Sequence, residues 1–236
     1  MVKVAKETKN SGVEVARVDQ KSRAEKPKRN EKGWQAEKSA QTRAAILNAA
    51  CQCLIELGYA NTTTALIANY ADVSRGAMMH HFPSRITVIK AVIDYLHDKR
   101  LGEYRELMAN IDDPDIKLSK QSVSDSVEMA WRYVNLPSFI AYQELLAASR
   151  TDAELKQVIE PVEKDFEKQF LEIVKGVFPH WQSVEALEAS HDLVQFAMKG
   201  MALSHMSVRK SARAKRVRTH LTNILYQIYE ESERGK

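Results

Sequence analysis

Apolar residues recur every three or four positions along most of the chain, which is the spacing of one face of an α-helix. The period-two alternation that predicts β-strands is not seen in the sequence. Pro161 lies inside one of the helical segments and should kink or divide it. The pattern predicts an all-α fold, with long helices over about residues 39–57, 84–108, 115–134, 138–150, 151–177, 183–205 and 212–231.

The segment Thr62–Arg85 predicts two short helices separated by a tight turn. The hydroxyl of Thr63 or Thr64 can accept a backbone N–H at the start of the first helix, and Ser74 can do so for the second. Ala71-Asp72 forms the turn between them. Helices this short bury little surface alone, so they need the flanking long helices as a scaffold. A second helix with polar and basic residues facing outward suits the major groove of DNA.

The residues on both sides of the turn form a longer motif with fixed spacing. Its members are Gly58-Tyr59, Thr63, Ile67-Ala68, Ala71-x-Val73-Ser74-x-Gly76, Met78 and His81-Phe82-Pro83-Ser84-Arg85. Together they resemble the DNA-binding domain of the TetR family of bacterial transcriptional regulators, over about Gln41 to Leu101. Asp72 stands where that family usually has glycine, but aspartate tolerates a left-handed backbone. Met79 stands where the family usually has tyrosine, which removes a hydroxyl that commonly reaches the DNA.

The helical period points Val73, Met78 and Phe82 inward and leaves the start of the second short helix facing out. Arg75 can donate two hydrogen bonds to O6 and N7 of guanine, and Gly76 lets the backbone approach the DNA. Phosphate contacts fix the register, whereas base contacts choose the sequence. The resemblance implies the same roles. The predicted DNA-binding residues are Thr63, Thr64, Ser74, Arg75, Gly76, Ala77, Met79, His80 and Arg85, of which Met79 offers an apolar contact and Thr64, His80 and Arg85 suit phosphates. The alternative is an ordinary surface helix with one stray arginine.

The net charge of +4 is concentrated at the N-terminus, because residues 1–38 contain eleven Lys or Arg against six Asp or Glu. This polar segment predicts a disordered tail. It is either a solvated tail or an arm that contacts phosphates or the minor groove through Lys26-Pro27-Lys28-Arg29 and Lys32. The sequence contains no apolar run of membrane-spanning length and no secretory signal, so a cytoplasmic protein is expected.

The remaining 135 residues, from 102 to 236, predict a larger helical domain. Wide apolar faces on its last two long helices favour pairing with a second copy into a four-helix bundle. The resemblance implies the same, because these helices form the dimer interface in the TetR family. The predicted interface residues are Leu187, Val194, Met198, Met201, Leu221, Leu225 and Ile228.

Aromatic residues are more frequent in this second domain than in the DNA-binding half. Each is individually best explained as core, but the TetR family places inducers between these helices, so an apolar effector cavity is plausible. Its predicted lining is Trp131, Phe139, Tyr142, Phe166 and Phe170, with Arg132, Glu144 and Arg150 as polar candidates. A basic run from Arg209 to Arg218 is either a solvated loop or a site of attraction for an anionic effector.

The sequence gives no support for an enzyme, a cofactor or a metal site. It lacks the serine-hydrolase, zinc-protease, P-loop and dinucleotide motifs. His80 and His81 lie about 100° apart on a helix, which does not suit a shared metal. His191 and His205 are too far apart along a helix to share one ion. Cys51 and Cys53 point to different faces, which excludes a disulfide between them.

These observations predict an N-terminal tail over 1–38, a three-helix helix-turn-helix domain over 39–101 and a helical effector-binding and dimerisation domain over 102–236. The expected function is a one-component transcriptional repressor, a homodimer on a palindromic operator that an unknown small molecule releases. One alternative is a sequence-independent, architectural DNA-binding protein that uses its basic tail. A second is an enzyme or carrier built on the helical domain, which would need titratable groups that converge on a pocket.

Overall fold

The computed structural model describes residues 31–109, 119–177, 185–204 and 212–234. Over these ranges the chain forms nine α-helices and no β-strand, which confirms the all-α prediction. The helices are α1 (Glu31–Asn61), α2 (Thr64–Tyr70), α3 (Arg75–His81), α4 (Arg85–Met108), α5 (Lys120–Tyr133), α6 (Pro137–Ser149), α7 (Ala153–Val177), α8 (Glu185–Leu203) and α9 (Ala212–Arg234).

The first helix begins well before the predicted position near Ser39. Residues 31–38 are helical, where the sequence predicts a disordered tail. Glu, Gln, Ala and Lys are strong helix formers, and they extend the helix without any apolar face to reveal it in the pattern. Residues up to Lys38 belong to an N-terminal unit, and the chain from Ser39 onward forms one compact unit. The basic cluster Lys26-Pro27-Lys28-Arg29 lies outside the described residues.

Side-chain caps fix where the central helices begin, as the sequence predicts. Thr63 Oγ1 accepts the backbone N–H of Leu66 at 3.2 Å, which starts α2. Ser84 caps α4 in a reciprocal capping box with Thr87. Pro137 occupies the first turn of α6. The predicted first residues of these helices therefore follow from interactions between residues close in sequence.

Helix α7 departs from its predicted form in two respects. It begins at Ala153 rather than at Thr151, because Asp152 caps its first turn and Asp152 Oδ1 accepts the N–H of Leu155 at 2.9 Å. The Thr151 hydroxyl instead bonds the carbonyl of Ala148. The helix also runs unbroken through Pro161, whereas the sequence predicts a kink or a division. Pro161 is exposed, so the lost backbone hydrogen bond lies on the side where water can replace it.

Two hydrophobic cores lie along the length of α4. The first contains Ile46, Ile67, Met78 and Leu96, and it is completed by residues of α6 and the start of α7, among them Leu145, Leu155 and Ile159. The second contains the rest of α4 from Leu101 onward, with α5, the later part of α7, α8 and α9. The predicted domain boundary at 101/102 falls inside α4, directly after Leu101, the first α4 residue of the second core. The helix-turn-helix is thus packed directly on helices of the second domain.

Candidate nucleic-acid interface

The angle between α2 and α3 is set by a short turn centred on Asp72. Asp72 has φ 51°, the left-handed conformation that its short polar side chain tolerates. The N–H of Val73 bonds the carbonyl of Ala68 at 3.0 Å, so the chain is held on both sides of the turn. Met78 and Phe82 of the second helix are fully or almost fully buried, as the helical period predicts. Helix α3 therefore has a fixed orientation before any DNA binds.

The opposite side of α3 faces solvent. Arg75, Gly76, Met79 and His80 are exposed, and 43% of the Met79 surface is accessible. A Cβ built at Gly76 would meet only the Ser74 hydroxyl, at 3.9 Å. Internal packing therefore does not require glycine at this position, and its open backbone faces outward. The structure brings the predicted readout residues together on one accessible surface.

The predicted phosphate contacts beside this surface have mixed environments. Thr63 and Ser74 are exposed, and each uses its oxygen to cap a helix, so the hydroxyl hydrogen of each can still be donated. Thr64 and Ala77 are half-buried. Ser74 Oγ accepts the N–H of Ala77 at 3.1 Å. Thr63 and Thr64 therefore lie at the start of α2, and Ser74 and Ala77 lie at the start of α3 beside its exposed face.

Arg85, a predicted phosphate contact, is engaged by contacts within the protein. Its guanidinium lies over the ring of Tyr59, 4.0 Å from the centroid. Its Nε donates to the carbonyl oxygen of Thr62 at 2.8 Å, and its Nη2 donates to the carbonyl oxygen of Tyr59. These hydrogen bonds connect the start of α4 to the end of α1 and the residue that follows it. The structure thus gives Arg85 a structural role where the sequence predicts a DNA contact.

The two adjacent histidines at the end of α3 differ in environment. His80 is exposed, whereas His81 is half-buried with its ring 6.4 Å from that of Phe82. Burial lowers the pKa of His81, and the neighbouring His80 lowers it further. A neutral, packed His81 fits the expectation that it supports the helix. Over the described parts of the chain, no group of three or more His, Cys, Asp or Glu residues is arranged to hold a metal ion.

Tyr59, at the end of α1, connects the helix-turn-helix to the second domain. Its backbone N–H donates to Oε1 of Glu144 in α6 at 2.7 Å. Its hydroxyl donates to Oδ2 of Asp152, the cap of α7, at 2.9 Å. The sequence predicts Glu144 as a polar contact of an effector, but its carboxylate is engaged by the end of α1. Sequence spacing carries no signal for this contact, because the partners are 85 and 93 residues apart.

The five predicted effector residues are all buried, but they do not form one group. Phe139, Tyr142 and Phe166 surround the guanidinium of Arg100, with Phe170 stacked on Phe166 at 5.7 Å. Trp131 lies instead beside Arg218, 5.0 Å from the ring centroid to the guanidinium carbon. The other polar candidates, Arg132 and Arg150, are exposed. Arg100 was not among the residues predicted from the sequence. Its spacing of four residues from both Leu96 and Tyr104 places it on the apolar face of α4, and that spacing was the available signal.

The predicted dimer residues lie mostly on the inner side of α8 and α9. Met198, Leu221 and Leu225 are buried in the second core of the same chain, so they are not available to a partner. Val194, Met201 and Ile228 are half-buried, and the side chain of Leu187 lies outside the described residues. The periodicity revealed an apolar face but not which neighbour covers it. The large apolar residues that α8 does expose are Leu193, Phe196 and Leu203.

The known proteins that this chain resembles are transcriptional regulators. Residues 46–92 match the family model described as bacterial regulatory proteins, tetR family. The HTH-type transcriptional regulator CymR of Pseudomonas putida is 26% identical over 205 residues, which cover 85% of this chain and 97% of that protein. The HTH-type transcriptional regulator TtgR, also from Pseudomonas putida, is 40% identical over 62 residues, which cover 26% of this chain and 30% of that protein.

The fold is also similar to solved structures. A TetR family transcription regulator from Marinobacter aquaeolei VT8 superimposes with a TM-score of 0.53 and 11% identity, over 79% of this chain and 96% of that one. The structural match thus covers 79% of this chain, whereas the family model matches only residues 46–92. None of the described helices combines the length and the apolar character needed to cross a membrane.

Proposed function

This chain belongs to the TetR family of bacterial regulatory proteins, and from that premise we propose that it is a repressor that binds a palindromic operator as a homodimer. Like the proteins that it resembles, it is a helix-turn-helix transcriptional regulator. The proposal adds the sign of regulation, the oligomeric state, release by a small-molecule effector and a cytoplasmic location. A dimer seated on an operator represses by occupying the promoter DNA that polymerase needs.

The exposed face of α3 is the observation that carries this proposal. Its orientation is fixed by the Ser74 cap, by the turn at Asp72 and by two buried anchors, Met78 and Phe82. A fixed helix presents Arg75 and Met79 to base edges without an ordering cost on binding. Arginine reads guanine, and a methionine side chain fits beside a thymine methyl group. Such a surface selects a sequence rather than any duplex.

A second copy is supported by the exposed side of α8. Ala189, Leu193, Phe196, Gly200 and Leu203 are all exposed and follow one another at alternating spacings of four and three. This spacing forms one continuous apolar stripe along a helix. Exposure of 73% for Phe196 and 63% for Leu203 is costly in water, and a two-fold partner helix would cover both. Dimerisation would place two recognition helices about 34–36 Å apart, one helical turn of DNA.

Release by an effector is supported by the way that the two cores meet. Because α6 and α7 complete the first core, a ligand that shifts these helices changes the packing beneath the helix-turn-helix. Such a ligand acts by binding more tightly to a conformation whose recognition helices have the wrong spacing. The hydrogen bonds of Tyr59 to Glu144 and Asp152 connect the end of α1 to α6 and to the cap of α7, so a shift of these helices would reach the helix-turn-helix directly.

In vitro selection from random duplex DNA at physiological salt tests the proposal, with the purified full chain and with Arg75→Ala in parallel. Recovery of one palindromic motif by the wild type, weakened in the variant, is the expected result. The regulator should prefer this motif over random DNA by about 10³-fold or more. Recovery of no motif, with affinity that falls steeply as salt rises, would instead indicate the architectural function.

A further inference from the structure

Arg100 of α4 is almost completely buried, with 1% of its surface accessible. Its guanidinium carbon lies 3.9 Å from the ring centroid of Tyr142 and 3.7 Å from that of Phe166. Tyr142 belongs to the first core and Phe166 to the second, so the charge lies where the two cores meet. A buried arginine carries a large desolvation cost and needs partners for its donors.

The neighbouring groups in the protein do not satisfy all the hydrogen-bond donors of Arg100. The carboxylate of Glu163 is the acidic partner, but its Oε2 lies 3.7 Å from Nη1, which is too long for a hydrogen bond. Nε and Nη1 of Arg100, the hydroxyls of Tyr133 and Tyr142, and Oε2 of Glu163 are all buried and make no hydrogen bond of normal length and angle. Each hydroxyl nevertheless lies near enough to Arg100 to interact with it, and that of Tyr142 also interacts with Glu163. Natural proteins leave few such groups unpaired, and a cluster of them commonly marks a missing ligand or water.

The unpaired groups are mainly hydrogen-bond donors. Arginine has donors only, and a phenol donates as long as it keeps its proton. Burial is the main cause that raises the pKa of Tyr133 to about 12, and it also raises the pKa of Tyr142. Both phenols are therefore protonated at neutral pH. Convergent donors around a buried positive charge are complementary to a negatively charged oxygen ligand.

We propose that Arg100, Tyr133 and Tyr142 form the binding site of a small carboxylate whose apolar body lies among the neighbouring phenylalanines. The carboxylate accepts from the guanidinium and from the phenol hydroxyls. Phe139, Phe166 and Phe170 supply an apolar surface for the remainder of the ligand. Glu163 is only partly buried, so its carboxylate can turn to water when the ligand takes its place beside Arg100.

This inference rests on the proposed function, because it gives the effector a chemical class and a position. A ligand at Arg100 touches α4, which begins directly after the recognition helix, as well as α5, α6 and α7. It also bridges the two cores. Binding there would shift α4 relative to the helices that support it, and so would change the spacing of the recognition helices in a dimer.

A competing occupant is a cation held by Glu163 and the aromatic rings. Arg100 argues against it, because a second positive charge beside a buried guanidinium would repel it in a medium of low polarity. A purely structural ion pair is the other competitor. It predicts that no small molecule stabilises the protein through these residues.

The test uses thermal unfolding of the purified full chain with a panel of matched ligands. The panel contains straight-chain carboxylates from butanoate to decanoate together with benzoate, each compared with the amide and the amine of the same skeleton. We expect at least one acid to raise the Tm in a dose-dependent way, with its amide and amine inactive. Arg100→Met should abolish the shift, and Tyr142→Phe should weaken the apparent affinity about ten-fold or more. Arg105→Met, an exposed arginine on the same helix, should leave the shift unchanged.

Three results would overturn the assignment. They are a panel without any stabilising acid, stabilisation that persists in Arg100→Met, and stabilisation by amines that Glu163→Gln removes. Circular dichroism establishes that each variant folds, and Tyr133→Phe combined with Tyr142→Phe carries the test should Arg100→Met unfold. Fluorescence anisotropy on the selected operator separates the two proposals. An acid that binds through Arg100 but leaves the DNA complex intact supports the site and contradicts its effector role.

Discussion

Under the proposed function, Arg75 is the residue on which we expect sequence recognition to depend most. It is exposed at the first turn of α3, where a guanidinium can pair with the O6 and N7 atoms of one guanine. We expect Arg75→Ala to lose about 1–3 kcal/mol of operator binding and to relax base preference at one position of each half-site. Anisotropy with the selected operator and single-base variants measures both effects.

Arg75→Lys is the matched control for this prediction. Lysine keeps the positive charge but loses the flat fork that pairs with guanine. It should retain the salt dependence of binding and still lose the base preference. Unchanged discrimination between bases in both variants would remove Arg75 from the readout.

Arg85 illustrates how one side chain can resemble a DNA contact in sequence and serve the fold instead. Arg85→Ala removes the guanidinium donors from the carbonyl oxygens of Tyr59 and Thr62 and uncovers the Tyr59 ring, and the Tyr59 carbonyl keeps only the 3.2 Å bond from the N–H of Thr62. We expect the free energy of unfolding to fall by about 1–3 kcal/mol. Urea unfolding followed by circular dichroism measures the change. A variant with wild-type stability and weaker DNA binding would restore the phosphate role.

At the scale of the elements, the end of α1 depends on one glycine. Gly58 has φ 76° and ψ 165°, a backbone region that is essentially open only to glycine. A Cβ there would also lie 3.1 Å from Oε1 of Glu144, the acceptor for Tyr59. Gly58→Ala should therefore lower the free energy of unfolding by about 1–3 kcal/mol in urea titrations.

Gly102→Ala provides the contrast within the same chain. Gly102 lies inside α4, and a Cβ at that position meets nothing within 4 Å. Alanine should stabilise the helix there by about 0.5–1 kcal/mol. Equal effects of the two substitutions would show that backbone conformation is not the cause at Gly58.

The cap of α7 makes the contact between α1 and α7 sensitive to acid. The pKa of Asp152 is lowered from its ordinary value of 3.8, first by the backbone N–H of Leu155 and then by the Tyr59 hydroxyl. A lowered native pKa adds stability above the unfolded pKa, and that stability is lost as the pH falls through the native value. The stability advantage of the wild type over Asp152→Asn should be largest near pH 6 and should shrink below about pH 4. Urea unfolding across this range checks it, and a constant difference would contradict it.

At the scale of the whole molecule, the proposed homodimer can be tested at the apolar stripe on α8. Phe196→Glu places a charge in the middle of this stripe, where a partner helix would have to desolvate it. We expect the dimer dissociation constant to rise by about ten-fold or more, with a matching loss of operator binding. Sedimentation velocity across a dilution series measures it. Gln195→Glu adds the same charge outside the stripe and should change dimerisation much less.

The sequence by itself determined whatever depends on near neighbours. The hydroxyls at positions 63, 74 and 84, the left-handed Asp72 and the outward face of α3 follow from interactions within about one helical turn. These local rules predicted the all-α fold and the short, capped helix α3 with its exposed face. The same rules missed the helical start of α1, because polar helix formers leave no apolar stripe.

Only the tertiary structure decided what depends on partners distant in the chain. Periodicity marks a face of α8 or α9 as apolar, but Met198 and Leu225 proved to pack inside their own chain, while Phe196 remained exposed. Glu144 was assigned as a polar contact and Arg85 by its charge and by the family resemblance, and the fold directs both toward Tyr59. Arg100 became a candidate site only when α5, α6 and α7 closed around it. Hydrophobic and ionic character belong to a residue, but which neighbour satisfies them is settled by the packing of the whole chain.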